Sequence, residues 1–119
     1  MMKLPRNRIV KKNKEIQEIY RGGRSYVTRY FIMYLFHTHD MPIKMAVAAG
    51  KKLGNAVIRN SVKRRLREVF RQNQSQLEGS GRILLVGRKP MLDADYREIE
   101  KAFLSVCRKI KREQERKKA

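Results

Sequence analysis

One segment of the chain, LGNAVIRNSVKRRLREVF (residues 53–70), restricts the possible folds more than any other. Its apolar residues recur at the period of an α-helix, and we expect this helix to span roughly residues 55–73. In projection, at about 100° per residue, one arc is apolar and must be buried: Ile58, Val62, Leu66, Val69 and Phe70. The opposite arc and one shoulder carry polar and cationic side chains: Asn60, Arg64, Arg67 and Arg71, with Arg59 and Lys63 on the shoulder. The fold must therefore cover one side of this helix and leave its cationic side open.

The cationic side of this helix has almost no acidic partners in the sequence. Glu68 is the only acid that could pair along it, and Lys51 and Lys52 precede the helix. The whole chain has 30 Lys and Arg against 11 Asp and Glu, a net charge of +19 over 119 residues. Such charge lowers stability by self-repulsion unless an anionic partner offsets it. A solvated face is the usual interpretation of a charged helix side, but here phosphate contacts with nucleic acid are the better one, ahead of an anionic membrane surface.

The rest of the chain predicts a sheet and two further helices. Residues 13–23 have a helical pattern with Asn13 as a possible cap, and the Gly22-Gly23 pair ends it. β-Branched and aromatic residues predict strands, which we place in three segments: residues 24–38 (one or two strands), 43–50 and 83–86. The last helix begins near Asp93 or Asp95, with an apolar stripe at Tyr96, Ile99, Phe103, Val106 and Ile110. The order is α-β-β-β-α-β-α, an α+β fold in which a four-stranded mixed sheet and helices form a small α/β sandwich.

We expect a single RNA-binding domain over residues 1–119, because the chain is long enough for one core but not for two. The first ten or so residues and residues 111–119 are predicted to be flexible basic ends. The longest apolar runs are too short to span a bilayer, and the N-terminus lacks the apolar segment of a signal peptide. The single cysteine, Cys107, is predicted to be a partly buried thiol and fits a reducing compartment.

The segment YFIMYLF (residues 30–36) is apolar on both sides of a strand. One face presents Tyr30, Ile32, Tyr34 and Phe36, and the other presents Phe31, Met33 and Leu35. Such a strand is either covered twice or leaves one aromatic face open. An open aromatic face beside cations is typical of proteins that hold unstacked, single-stranded RNA. Burial under helices agrees with the pattern equally well, so both interpretations stay open.

The segment GKKLGNAVIRNSVKRRLREVF (residues 50–70) closely resembles the RNR motif of the bacterial ribonuclease P protein family, K-K-x-G-N-A-V-x-R-N-x-x-K-R-x-x-R. The match includes the uncharged positions Gly54, Asn55, Ala56 and Val57, so it is more specific than a basic run. RNRIVKKNKEIQEIYRGG is similar to the opening of that family, and ILLVGRKP with the last helix is similar to its end. The resemblance covers nearly the whole chain.

This resemblance implies a protein subunit of ribonuclease P, which assists a catalytic RNA in removing the 5′ leader from precursor tRNA. The implied partners are that RNA and precursor tRNA, with no membrane and no small-molecule substrate, and the implied location is cytoplasmic. Mg²⁺ would serve the RNA-catalysed reaction, and no metal ion is expected on the protein. The implied fold contains a left-handed β-α-β crossover, an exception to the usual handedness.

Two groups of site residues follow from the resemblance. The RNA subunit would bind the RNR motif through Lys51, Lys52, Arg59, Asn60, Lys63, Arg64 and Arg67. The leader would lie in a groove between the first helix and the sheet, lined by Lys12, Ile16, Tyr20 and Tyr34. Ile16 departs from the family, which commonly has an aromatic residue there; isoleucine can pack against a base but cannot stack as a ring does.

No catalytic residues are predicted on the protein itself. His37, His39 and Asp40 lie in the turn segment HTHD, where polar residues are ordinary. Asp93 and Asp95 are more simply helix caps or first-turn charges favoured by the helix dipole. The sequence shows no Gly-rich phosphate loop, zinc-ligand spacing or nucleophile–base constellation.

Three alternatives of another class remain open from the sequence. The first is a generic basic RNA-binding module such as a ribosomal protein, and the second is a helix that reads DNA in the major groove. A membrane-surface helix is the weakest, because Val62, Leu66 and Phe70 are needed in the core.

Overall fold

The computed structural model of the chain describes residues 9–77 and 79–118. It has three helices and four strands: α1 (Asn13–Gly22), β1 (Arg24–Val27), β2 (Phe31–Phe36), β3 (Lys44–Ala48), α2 (Ala56–Asn73), β4 (Arg82–Gly87) and α3 (Tyr96–Lys118). Short 3₁₀ turns occur at Lys51–Leu53, Gln74–Gln76 and Lys89–Asp93. The predicted order α-β-β-β-α-β-α is confirmed, and residues 24–38 form two strands rather than one.

The sheet is mixed, as predicted, with the strand order β1-β2-β4-β3. β1 and β2 are antiparallel, β2 and β4 are antiparallel, and β3 and β4 are parallel. Parallel strands need a crossover connection, and α2 supplies it between β3 and β4. The left-handed sense of that crossover stays a prediction. Ahead of α1, Ile9 forms a parallel bridge with Met45, and the Val10 N–H donates to the Met45 carbonyl at 2.8 Å. Most of the predicted flexible N-terminal end lies outside the described residues.

Helices cover both faces of the sheet, because β2 is apolar on both sides. Phe31, Met33 and Leu35 are fully buried in the larger cluster, together with the apolar stripes of α2 and α3. The other face of β2 contributes Tyr34 and Phe36 to a smaller cluster built around Ile19 of α1. The α1 helix therefore lies on the opposite face of the sheet from α2 and α3.

Gly87 allows α2 to lie close to the sheet. A Cβ atom at this position would be 2.4 Å from Cγ1 of Val62, a distance that real Cβ atoms do not reach. Val62, Leu66, Val69 and Phe70 are all buried, as predicted. Ile58 was expected in the same stripe, but it is 38% exposed. Its side chain packs beside Gly54 in the preceding turn instead of on the sheet, so the buried stripe begins one turn later than the helical period suggests.

Two of the three helices begin with a side-chain cap, and of these the cap at Asp95 was predicted. The Asn55 side chain accepts a hydrogen bond from the Ile58 N–H at 3.0 Å, and Asp95 accepts one from the Glu98 N–H at 3.0 Å. Asn13 is not a cap: it is the first residue of α1, and Lys12 holds the cap position without a side-chain hydrogen bond. Lysine has no acceptor atom, so α1 begins without side-chain capping.

The C-terminal helix continues into the segment predicted to be a flexible end. Oε2 of Glu113 accepts a hydrogen bond from the Tyr26 hydroxyl at 2.6 Å, and Oε1 lies 2.9 Å from Nη2 of Arg24. Through these two contacts, the last turns of α3 are tied to β1 at the edge of the sheet.

Candidate nucleic-acid interface

The first candidate surface is the cationic side of α2 with the 3₁₀ turn that precedes it. Lys51, Lys52, Asn60, Arg64 and Arg67 are exposed, while Arg59 and Lys63 are half-buried on one shoulder. Within residues 9–77 and 79–118, none of these seven side chains has an ion pair or a hydrogen bond to a side chain. All seven predicted RNR residues therefore lie on one helix and its leading turn with their polar groups available.

Two other arginines of α2 are already engaged within the protein. The Arg65 guanidinium donates to the carbonyl of Met91 at 2.8 Å and also to the carbonyl of Ala94. Arg71 donates from Nε to Oε2 of Glu68 at 3.1 Å, and this contact lowers the pKa of the Glu68 carboxyl from its usual value. The role of Arg65 was not predicted. The sequence feature that could have predicted it is the position of Arg65 beside the buried arc, three residues after Val62.

The second candidate surface lies between α1 and β2. The ring centroids of Tyr20 and Tyr34 are 5.1 Å apart with an angle of 43° between the ring planes. Tyr20 is 56% exposed, and Tyr34 is half-buried in the same apolar cluster as Ile16. Lys12 is exposed one turn before Ile16, and its carbonyl accepts the Ile16 N–H at 3.1 Å. The structure thus brings Ile16, Tyr20 and Tyr34 together and places Lys12 at the start of the same helix.

This arrangement shows how far the second face of the aromatic strand β2 is covered. The α1 helix covers part of the second face of β2, so Phe36 and Tyr34 are only partly exposed. Tyr20 remains accessible beside Tyr34, and partial burial raises the pKa of the Tyr34 hydroxyl. Tyr30 is an exception to the predicted face: it precedes β2, packs against the larger cluster and donates its hydroxyl to Glu98 at 2.9 Å.

A polar network connects α1 to the end of the sheet. Arg82 donates from Nε to Oδ2 of Asp40 at 2.6 Å, and its Nη1 lies 3.9 Å from Oε2 of Glu15 on α1. Nζ of Lys44 lies 3.5 Å from Oδ1 of Asp40. The hydrogen bonds from Arg82 and Thr38 lower the pKa of the Asp40 carboxyl. Asp40 therefore anchors the turn between β2 and β3. The sequence pattern gave no signal for its pairing with Arg82, which is 42 positions away.

The other residues considered for catalysis are His37, His39 and Cys107. His37 and His39 are exposed, and the part of the chain that the structure describes contains no group of three His, Cys, Asp or Glu side chains able to hold a metal ion. Cys107 is fully buried rather than partly buried, and burial raises the pKa of its thiol to about 12. A thiol that stays protonated is a poor nucleophile. Among the described helices, none is both long and apolar enough to cross a membrane.

Comparison with known proteins gives concordant matches. The family model described as Ribonuclease P matches residues 4–111. The ribonuclease P protein component of Geobacillus sp. (strain WCH70) is 35% identical over 101 residues, which cover 84% of this chain and 87% of that protein. The corresponding protein of Listeria innocua is 31% identical over 100 residues, 83% of this chain and 84% of that protein.

Solved structures agree with this pattern. The RNase P protein of Staphylococcus aureus aligns with a TM-score of 0.73 at 33% identity, and the alignment covers 87% of this chain and 94% of that one. The RNase P protein from Thermotoga maritima aligns with a TM-score of 0.76 at 21% identity, covering 84% of this chain and 94% of that one. The second match supports the fold alone.

Proposed function

The chain belongs to the ribonuclease P protein family, and from this premise we propose that its partners are the catalytic RNA of that enzyme and precursor tRNA. The enzyme is a ribonucleoprotein endoribonuclease that matures the 5′ end of tRNA, and in the family its RNA subunit is catalytic. The chain is accordingly a protein component of a ribonuclease, and family membership favours this role over a ribosomal protein or a DNA-reading helix.

The α2 surface binds the RNA subunit in this proposal. The observation that carries it is the set of seven polar side chains, Lys51, Lys52, Arg59, Asn60, Lys63, Arg64 and Arg67, that have no side-chain partner among the described residues. Cations that are sorted onto one side of a helix repel each other until phosphates approach them. Arg65 and Arg71 are excluded from this surface, because one holds backbone carbonyls and the other pairs with Glu68.

The surface between α1 and β2 holds the 5′ leader in this proposal. Tyr20 and Tyr34 supply aromatic rings for an unstacked base, and Ile16 supplies an aliphatic wall beside them. Lys12 supplies a cation for a leader phosphate at the start of α1. A leader strand held there would lie on the opposite face of the sheet from α2, so the two RNAs would use separate surfaces.

Mg²⁺ belongs to the RNA in this proposal, where it would activate the attacking water and neutralise phosphate charge. The protein contributes binding and charge neutralisation rather than catalytic groups. Among the candidates for metal chemistry, Asp40 is already paired with Arg82 and Lys44. We also propose a cytoplasmic location, which cell fractionation with an antibody against the protein would test.

Reconstitution tests the proposed function directly. The protein, a bacterial ribonuclease P RNA and their mixture are compared for precursor tRNA cleavage at low Mg²⁺ concentration. We expect no cleavage by the protein alone and restored cleavage by the mixture, because +19 units of charge can replace part of the Mg²⁺ that screens the RNA. Metal-dependent cleavage by RNA-free protein that disappears on His37→Ala or Asp40→Asn would show instead that the protein is the nuclease.

A matched pair of variants assigns the effect to α2. The triple variant Arg59→Ala, Lys63→Ala, Arg67→Ala is compared with Arg97→Ala, Lys101→Ala, Arg108→Ala, which removes the same charge from exposed positions on α3. The α2 variant should lose affinity for the RNA subunit much more strongly than the α3 variant. Equal losses would mean that only net charge matters and that α2 is not the binding surface.

A further inference from the structure

An apolar depression lies beside the first turns of α2, on the flank away from Arg59 and Lys63. Its volume is about 410 Å³. The side chains around it come from α2 and from the 3₁₀ turn before α3: Val57, Ile58, Ser61, Val62, Arg65 and Leu92. It is thus built on the same helix as the seven RNR residues but is lined mainly by hydrocarbon.

Two of the apolar side chains that line the depression, one valine and one isoleucine, are exposed and are not part of the buried core. Val57 is 76% exposed and Ile58 is 38% exposed, although the rest of the buried stripe is fully covered. A single exposed apolar residue on a protein surface is ordinary. Two consecutive ones at the edge of a depression, with half-buried Leu92 on the far side, form a contiguous apolar patch of the kind that marks a binding surface.

The polar groups of the depression fit a nucleobase. Arg65 is fixed there because its guanidinium donates to the Met91 and Ala94 carbonyls, so it presents a planar cation in a constant position. Ser61 adds a hydroxyl that can donate or accept at the edge of a base. No carboxylate lines the depression, and Glu68, one turn further along α2, is paired with Arg71. Arg64, exposed one turn after Asn60, has no described acidic partner and is available to the adjoining phosphate.

We propose that this depression holds an unstacked base of the catalytic RNA subunit, with the base face on Val57 and Leu92 and its edge near Ser61 and Arg65. The proposal rests on the function proposed above, and it adds a non-electrostatic contact to a surface otherwise defined by charge. The RNA subunit is the source rather than precursor tRNA, because the depression and the α1–β2 surface lie on opposite faces of the sheet. Unstacked bases of RNA are typically packed on a side-chain surface at one face and hydrogen-bonded at their edges.

Val57→Ser and Val27→Ser form a matched pair for the test. Val27 is 65% exposed and lies on β1, at the opposite edge of the sheet from β3, whereas α2 packs on β3 and β4. It therefore controls for the loss of an exposed valine. We measure the affinity of each variant for a bacterial ribonuclease P RNA at several salt concentrations. Val57→Ser should weaken binding about tenfold, within the range of one base contact. The slope of log K against log salt should not change, because no phosphate contact is lost. Val27→Ser should bind as the parent does.

Further variants keep the test decisive. Ser61→Tyr fills the depression with a ring and should cause a comparable loss with an unchanged salt slope, and thermal melts confirm that each variant is folded. The proposal is wrong if Val57→Ser and Val27→Ser behave alike, or if Val57→Ser weakens only the binding of precursor tRNA by the assembled enzyme. In that case Arg64→Ala still tests the proposed function. A flatter salt slope for Arg64→Ala would support RNA binding by the α2 surface without the base contact. If neither Val57→Ser nor Arg64→Ala changed RNA affinity or its salt slope, both the base contact and the α2 surface would be refuted.

Discussion

Arginine has three different roles along α2, although the side chain is the same at each position. Arg64 and Arg67 are exposed without a described partner, Arg71 pairs with Glu68, and Arg65 holds two backbone carbonyls near the start of α3. The role is set by the direction in which each position faces. Near the buried arc, a guanidinium can reach the main chain of the neighbouring turn. On the outer arc it can reach an acidic side chain of the same helix, as Arg71 does with Glu68, or otherwise only solvent or a ligand.

Arg64→Ala and Arg65→Ala should therefore separate binding from stability. Arg64→Ala should leave the unfolding free energy nearly unchanged and flatten the slope of log K against log salt for RNA binding by about 0.7 to 0.9. Arg65→Ala leaves the Met91 and Ala94 carbonyls without this donor, so it should lower the unfolding free energy by about 1–3 kcal/mol. Urea unfolding and RNA titration at several salt concentrations measure the two effects. If both variants changed only the RNA affinity, the structural role of Arg65 would be refuted.

At the scale of single elements, α1 packs on the sheet through one apolar side and carries the residues proposed to bind the leader. Ile19 is buried against the sheet, and Glu15 reaches Arg82 at 3.9 Å, while Tyr20 is largely exposed. Tyr34 also supports the small apolar cluster, so replacing it would mix binding with stability. Tyr20 is the better residue to change, because little packing is lost with its ring.

Tyr20→Ala should weaken the binding of precursor tRNA by about 1–3 kcal/mol and leave the binding of mature tRNA unchanged, since mature tRNA has no leader. Tyr20→Phe retains the ring and should bind both species as the parent does. The measurement is holoenzyme affinity for precursors with leaders of graded length and for mature tRNA. Similar losses for precursor and mature tRNA would assign Tyr20 to the fold or to the RNA subunit.

The packing of α2 against β4 depends on Gly87, because its lack of a side chain allows the two elements to lie close together. Gly87→Ala would force a Cβ against Val62, so it should lower the unfolding free energy by about 1–3 kcal/mol. Gly50→Ala is the matched control, because a Cβ at Gly50 meets nothing within 4 Å. Its effect should stay within about 0.5 kcal/mol. Denaturant unfolding of both variants measures the difference, and equal effects would mean that α2 shifts away from β4 without loss of stability.

The sequence predicted the elements well and their tertiary contacts less well, for a physical reason. Helical and strand periods are local, so the order of elements and the burial of Val62 and Leu66 could be predicted. The exposure of Ile58 depends on where α2 meets the sheet. The Arg65 clamp and the Asp40–Arg82 pair join positions 26 and 42 residues apart, which no local pattern encodes. The RNR residues were identified by resemblance, and the structure adds that they have no side-chain partner within residues 9–77 and 79–118.

At the scale of the whole molecule, the charge of +19 is spread over a domain with few internal ion pairs among its described residues. Repulsion between the cations is then part of the free energy of the isolated protein, and it is screened by salt. The protein should consequently be less stable alone at low ionic strength than in the presence of a polyanion.

The melting temperature should rise when NaCl is increased from about 10 mM to about 200 mM, because the Debye length falls from about 30 Å to below 10 Å. Ligand linkage adds to this when RNA is present, since RNA binds the folded state. Differential scanning fluorimetry over a salt series, with and without ribonuclease P RNA, measures both effects. A melting temperature that falls as NaCl is added would show that ion pairs outweigh repulsion.

The position of β4 between β2 and β3 determines when the RNA-binding helix can become stable during synthesis. β4 pairs with both neighbours, but it follows α2 in the chain, so β3 and α2 leave the ribosome before the strand that joins them to β2 exists. Until residues 81–87 emerge, the described backbone partners of β3 are limited to the segment of Ile9 and Val10. Closing such non-local pairs is slow compared with forming the β1–β2 hairpin. A strongly cationic segment therefore passes close to ribosomal RNA while its own fold is incomplete, and its native binding surface forms only when translation reaches the last quarter of the protein.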